Sequence, residues 1–217
     1  VKKDPEPARE NKVIINRQNL NNEGIPFIPL YKAVDFKENI SEEMKGRVEE
    51  ALLEMGLLDA LIIPEKYKDR VMVLNSEGAD KYLFSTSKLF TYNLSEILRT
   101  EDIKISGINQ EDVENVLASI FIDENDESTY INEKGQYSIG ILKGTVTNTY
   151  VPKFIGIAAR QKYREEQIEI LSQELSDIET KIAEYDNEIN ELNSKLDALK
   201  KEFGSFPPNK DLLVVCK

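Results

Sequence analysis

The residues of this sequence that come closest to a reactive arrangement lie at 120–134. Ile120, Phe121 and Ile122 run into Asp123 and Glu124, the order of a strand ending in carboxylates, as in a Walker B segment that holds Mg²⁺ and polarises a water. That chemistry needs a loop that cradles phosphates. Gly135 and Gly140 stand at P-loop spacing, but Ile141 and Leu142 follow them in place of Lys and Ser/Thr, so no ammonium reaches a phosphate and no hydroxyl reaches the metal. Asp123, Asn125 and Glu127 also imitate the first ligands of a calcium loop, yet Ser128 stands where the turn needs Gly and Lys134 where a bidentate Glu belongs. A solvated acidic loop is the plainer reading. Histidine is absent from all 217 residues, which excludes Ser-His-Asp and Cys-His triads and imidazole metal ligands. The single cysteine, Cys216, cannot close an intramolecular disulfide, and no CxxC is present for zinc. The expectation is a chain that is not an enzyme, with no catalytic, cofactor-binding or metal-binding residues.

Charge narrows the partners. With 28 basic and 40 acidic residues the net charge is −12, which excludes a uniformly basic surface of the kind that coats nucleic acid. The distribution is uneven. Residues 1–22 carry net +2, residues 23–153 net −10 and residues 158–203 net −5, whereas between 145 and 164 the cations Lys153, Arg160, Lys162 and Arg164 meet no acidic residue. These four are the candidate DNA contact, weak and indifferent to sequence, and Lys12 and Arg17 would enlarge it if the N-terminal arm returned beside them. The competing reading is ordinary scatter of charge. No apolar stretch approaches the ~20 residues that cross a bilayer, and the first twenty residues lack a signal-peptide core, so a soluble, cytoplasmic protein is expected.

The elements that must position such residues divide the chain in four: an N-terminal arm remnant or linker at 1–22, an α+β domain at 23–153, a coiled-coil helix at 154–203 and a tail at 204–217. The coil is the firmest of these. Ile168, Leu175, Ile182, Ile189, Leu196 and Phe203 fall at heptad position a and Leu171, Ile178, Tyr185, Leu192 and Leu199 at d, with spacings that alternate three and four without a slip. No Gly or Pro interrupts 158–203, and Gly204 with Pro207 and Pro208 marks the end. A helix of that length spans about 69 Å. So narrow an apolar seam needs a partner helix, either from another chain or from a stretch of the natural protein beyond these residues.

In the domain, Pro26 and Pro29 favour an extended or edge segment. Ser41 caps a helix to about Met55, with Gly56 at its C-terminal end. The apolar run 57–63 suits helix or strand. Residues 71–74 and 81–84 read as strands around an NSEG turn, 94–98 and 109–118 as short helices, and 129–132 with 136–142 as a hairpin around Glu133-Lys134-Gly135.

The stretches GIPFIPLYKAVDFKENI, RVEEALLEMGLLDALIIP, GQYSIGILKG and IGIAARQKYREEQIEIL, spread over residues 22–208, resemble the middle of a large SMC-like ATPase, the JetC-like or MukB-like subunit of Wadjet-type plasmid-defence systems. The resemblance implies a hinge-containing segment of a parent with ATPase heads at its termini and antiparallel arms, serving dimerisation and DNA topology in chromosome structuring or plasmid restriction. Neither head is in this sequence, so ATPase activity of the chain itself is not implied. A reading of another class is a coiled-coil scaffold or adaptor with a protein-binding globular head and no DNA role.

Overall fold

The computed structural model describes residues 5–74, 80–84, 91–102, 107–123 and 129–205. The NSEG turn, Glu124, Asn125, Glu127, Ser128, Pro207, Pro208 and Cys216 lie outside them. The chain forms two compact units, Val1–Arg164 and Glu165–Lys217. The first is mixed α+β and the second continues a long C-terminal helix, so the class is α+β with a heptad helix.

Residues 1–22, expected as an arm remnant or linker, are helical in part and fastened to the domain. Residues Asn11–Asn22 form helix α1, whose Leu20 is fully buried and whose Arg17 is buried between carboxylates. Arg17 donates to both carboxylate oxygens of Asp59 and of Asp80, and Arg9 donates to both oxygens of Asp59. Two guanidiniums on one carboxylate fasten this segment to the domain, which a low-hydrophobicity stretch does not reveal. Strand β1 (Ile28–Pro29) then sits at a sheet edge, where Pro29 has no N–H to lose.

A short helix α2 (Leu30–Ala33) and strand β2 (Val34–Phe36) lead to helix α3 (Glu42–Glu54). Ser41 Oγ accepts the Met44 N–H at 3.2 Å, as the cap requires, and Gly56 follows the Met55 C-cap with φ of +69°. Of the apolar run 57–63 only β3 (Leu61–Ile62) is strand; residues 57–60 turn.

Residues 71–74 are not a strand but the end of helix α4 (Lys68–Leu74), which continues a 3₁₀ turn begun after Pro64. Val71 is buried while Met72 and Val73 are exposed, a one-sided burial that a single short apolar run cannot signal. Strand β4 (Tyr82–Leu83) pairs in parallel with β3, giving the order β1-β3-β4. At 94–98 the helix is one 3₁₀ turn, Leu94–Glu96, and the chain then extends as β5 (Leu98–Thr100) antiparallel to β2.

Helix α5 (Gln110–Leu117) carries a capping box between Asn109 and Asp112. Strands β6 (Phe121–Ile122), β7 (Tyr130–Ile131), β8 (Gln136–Ile139) and β9 (Leu142–Thr145) form the third sheet in that order. The expected hairpin is β7–β8, and β9 extends it through a second tight turn. Helix α6 (Ile157–Ser205) runs one residue beyond Gly204. The main core gathers α2, α3, α5 and the second and third sheets, and a smaller one joins Leu20, Ile25, Leu61, Ile63 and Val71.

Candidate functional site: an open seam and its anchored root

Between β9 and α6 the chain crosses residues 146–156 without regular structure, so its peptide groups need partners from elsewhere. Helix α3 supplies them from one face. Gly46, Arg47, Glu49 and Glu50 recur at helical neighbour spacing and all meet this strap. Glu50 accepts the Thr147 N–H and hydroxyl at 3.0 Å each, and Arg47 Nε donates to Asn148 Oδ1 at 3.0 Å.

Glu49 does the most. It is 0% exposed, and its carboxylate accepts the N–H groups of Lys153 (2.7 Å), Phe154 (3.1 Å) and Ile155 (2.8 Å) and the hydroxyl of Tyr150 (3.0 Å). Burial pushes the Glu49 carboxyl up from the usual carboxylate range, while those four donors pull it back. Burial, followed by the charge and hydrogen bond of Glu49, also pushes the Tyr150 hydroxyl up. Gly46 makes this contact possible, because a Cβ there would collide with the Tyr150 carbonyl oxygen.

The strap ends at Gly156, whose φ of +87° turns the chain into α6, and the first turns of α6 are gripped again. Arg160 is 6% exposed and donates from one terminal nitrogen to the carbonyl oxygens of Tyr31 (3.2 Å) and Phe154 (3.0 Å) and from the other to Glu101 (3.1 and 3.3 Å). The Phe154 ring meets Tyr31 and Tyr163 edge-on, with centroids 6.0 and 5.9 Å away. The Lys153 ammonium lies 5.4 Å from the Tyr150 ring centroid and 5.5 Å from that of Tyr163.

This geometry corrects the expected basic neck. Arg160 is an internal clamp: its planar fork is spent on two carbonyls and a carboxylate inside the domain, so it does not present its charge to a phosphate. Arg17 is withdrawn in the same way between Asp59 and Asp80, and Lys12 pairs with Glu10. Of the four candidates, Lys162 is exposed, Arg164 is half-buried and Lys153 is held over its two rings.

Solved structures that resemble the chain include two of one protein. The hinge domain of Pyrococcus furiosus Smc with an extended coiled coil is 14% identical, covers 89% of this chain and 76% of that one, and gives a TM-score of 0.37. The crystal structure of the Pyrococcus furiosus SMC hinge domain is 10% identical, covers 63% and 88%, and gives 0.39. No family model matches, and no curated protein matches.

In the second unit, every expected seam residue from Ile168 to Phe203 lies on α6 and is exposed, by 42% at Ile168 and 82% at Phe203. They fall on one side at heptad spacing, a long apolar stripe in water. No described helix is long and apolar enough to cross a membrane. Asp123 follows β6 with φ of +114°, and Gly135 and Gly140 occupy the turns flanking β8, where no helix begins. Among the described residues no group of three or more His, Cys, Asp or Glu is placed to hold a metal. The strap and its Glu49 anchor were not expected from sequence, because Glu49-Glu50 reads as an ordinary solvated pair.

Proposed function

We propose that this chain is a non-catalytic pairing module: a hinge-like α+β domain with an arm helix, from an SMC-like ATPase of the JetC or MukB kind, that serves dimerisation and DNA topology in chromosome structuring or plasmid restriction. The observation that carries the reading is the uninterrupted apolar seam of α6, exposed along its whole length, on a helix whose first turns are pinned by Arg160 and whose approach is pinned by Glu49. A free surface helix would not need such a fixed root, and an unpartnered seam of this length is unfavourable in water. The order of the resembling sequence stretches supports the hinge assignment.

Sedimentation equilibrium tests it. The chain self-associates, and Leu175→Glu with Ile182→Glu shifts it to monomer; a wild type that is monomeric with α6 fully helical refutes the pairing role.

The DNA part of the reading rests on Lys153, Lys162 and Arg164. Three phosphate contacts give a salt slope of about −2.7 on duplex DNA, without sequence preference. Fluorescence anisotropy of wild type against a variant with all three changed to Glu measures it. If neither protein binds at low salt, the scaffold or adaptor reading, with a protein-binding head, takes its place.

A further inference from the structure

We propose that residues 5–10 and helix α2 form a latch that sets how firmly α6 is rooted: with 5–10 seated on α2 the root is rigid, and with 5–10 lifted it loosens. The latch lies within the α+β domain and works whether or not the seam is paired.

Helix α2 is a single turn gripped from two sides. One grip is the N-terminal segment, which has no regular structure before Asn11. Its Arg9 donates to the Tyr31 hydroxyl at 3.2 Å and, from the same guanidinium, to the two oxygens of Asp59 at 2.6 and 2.7 Å. Its Glu6 accepts from the Lys32 ammonium at 2.6 Å and pairs with Arg9. The other grip is the root of α6, where Arg160 donates to the Tyr31 carbonyl oxygen and the Phe154 ring meets the Tyr31 ring. Tyr31 is fully buried and serves both grips with different atoms. A shift of its ring therefore disturbs Phe154, whose N–H is held by Glu49 and whose carbonyl is held by Arg160.

The grips differ in exposure, and this decides which yields first. The side chains of Glu6 and Lys32 are 40% and 36% exposed, whereas Arg160 is buried. Part-exposed ion pairs are weakened by salt and by competing charge, and buried ones much less. Arg17 stays in place when 5–10 lifts, because its buried guanidinium spans Asp59 and Asp80, so α1 remains docked and the movement is confined to the segment before it. Loss of Arg9 opens the sealed Tyr31 hydroxyl to water and frees α2 on that side. Two backbone bonds remain to α2, Leu30 N–H to the Ala60 oxygen and Tyr31 N–H to the Leu58 oxygen, each 3.0 Å. If these alone fixed α2, the root would not feel the segment.

Hydrogen–deuterium exchange of the full chain, read by mass spectrometry, tests the latch. Arg9→Ala should speed exchange at residues 153–160 by at least about fivefold while α5 is unchanged. Lys12→Ala, which breaks the exposed pair with Glu10, should change neither region. If Arg9→Ala does not fold, wild type in 1 M sodium chloride against low salt is judged by the same two regions, since screening there acts within about 3 Å. Faster exchange confined to residues 5–22, or no change at all, means that the backbone bonds fix α2 and overturns the inference. A uniform rise across the domain is general destabilisation and overturns it too. The effect of Arg9→Ala should also shrink when Arg160→Lys is already present, because both act through Tyr31; an undiminished effect overturns the coupling.

Discussion

Helix α6 obeys opposite rules in its two parts. At 157–164 two side chains are committed inward: Arg160 spends its fork on Tyr31, Phe154 and Glu101, and Tyr163 meets the Phe154 ring. At 165–205 every large apolar side chain is exposed. The first part is held by directional bonds to groups that water no longer reaches, and the second carries non-directional surface with nothing yet against it. A root of this kind is costly to alter by any change that leaves a donor stranded. The seam is costly only when it is occupied, so its mutants should be silent in the isolated chain and severe in the assembly.

Substitutions should separate the two. The largest effect is expected from Leu175→Glu with Ile182→Glu, which buries unpaired carboxylates in the occupied seam and should weaken self-association by at least about three orders of magnitude. The melting of the α+β domain, followed by near-ultraviolet circular dichroism, should not move; a matching fall in domain stability would erase the distinction drawn above.

Next is Glu49→Ala, which strands three buried N–H groups and the Tyr150 hydroxyl. A loss of about 4 kcal/mol follows if some of them find water, and with it a melting temperature lower by on the order of 10 °C. Glu49→Gln should recover about half, since the amide NH₂ must face one of the donors. Helicity of 165–205 should persist in both. An unchanged melting curve for Glu49→Ala would mean that the strap is not held as described.

Arg160→Lys comes third, at about 2 kcal/mol, because an ammonium cannot meet two carbonyls and a carboxylate with one planar fork. The same variant should leave DNA anisotropy unaltered at low salt. A clear drop would return Arg160 to the DNA-contact set.

The smallest effect is that of Tyr150→Phe, about 1 kcal/mol near neutral pH for one hydrogen bond to a buried carboxylate. Its pH dependence has a definite sign. The folded hydroxyl titrates above its unfolded counterpart, which ionises near pH 10, so wild-type stability from this group is intact below that pH and is lost as pH rises past it. The gap between wild type and Tyr150→Phe in denaturant midpoint should therefore narrow above about pH 10.

The same contrast explains what could be read from sequence. Heptad spacing is a long, redundant signal, and α6 lies where the spacing of Ile168 to Phe203 and the absence of Gly and Pro put it. The Ser41 cap, the short helix at 109–118 and the β7–β8 hairpin were legible for a similar reason: each is specified by residues a few positions apart. The strap was not. Glu49 and the N–H groups it holds are about a hundred residues apart in sequence, and a buried acid on α3 has the same letter as an exposed one. Arg160 misled for the same reason, since a cation without acidic neighbours in sequence can still find Glu101 in space. Residues 71–74 and 94–98 show the limit for short apolar runs, where tertiary pairing chooses between helix and strand.

The convergence of three successive peptide N–H groups on the Glu49 carboxylate also bears on how the chain would respond to tension. A pull on the backbone at residue 156 is shared among bonds that meet at one side chain, so they cannot yield one after another as the rungs of a hairpin do. The strap should hold without creep up to a threshold and then give way in one step, which in an optical trap would appear as a single abrupt lengthening instead of a ramp.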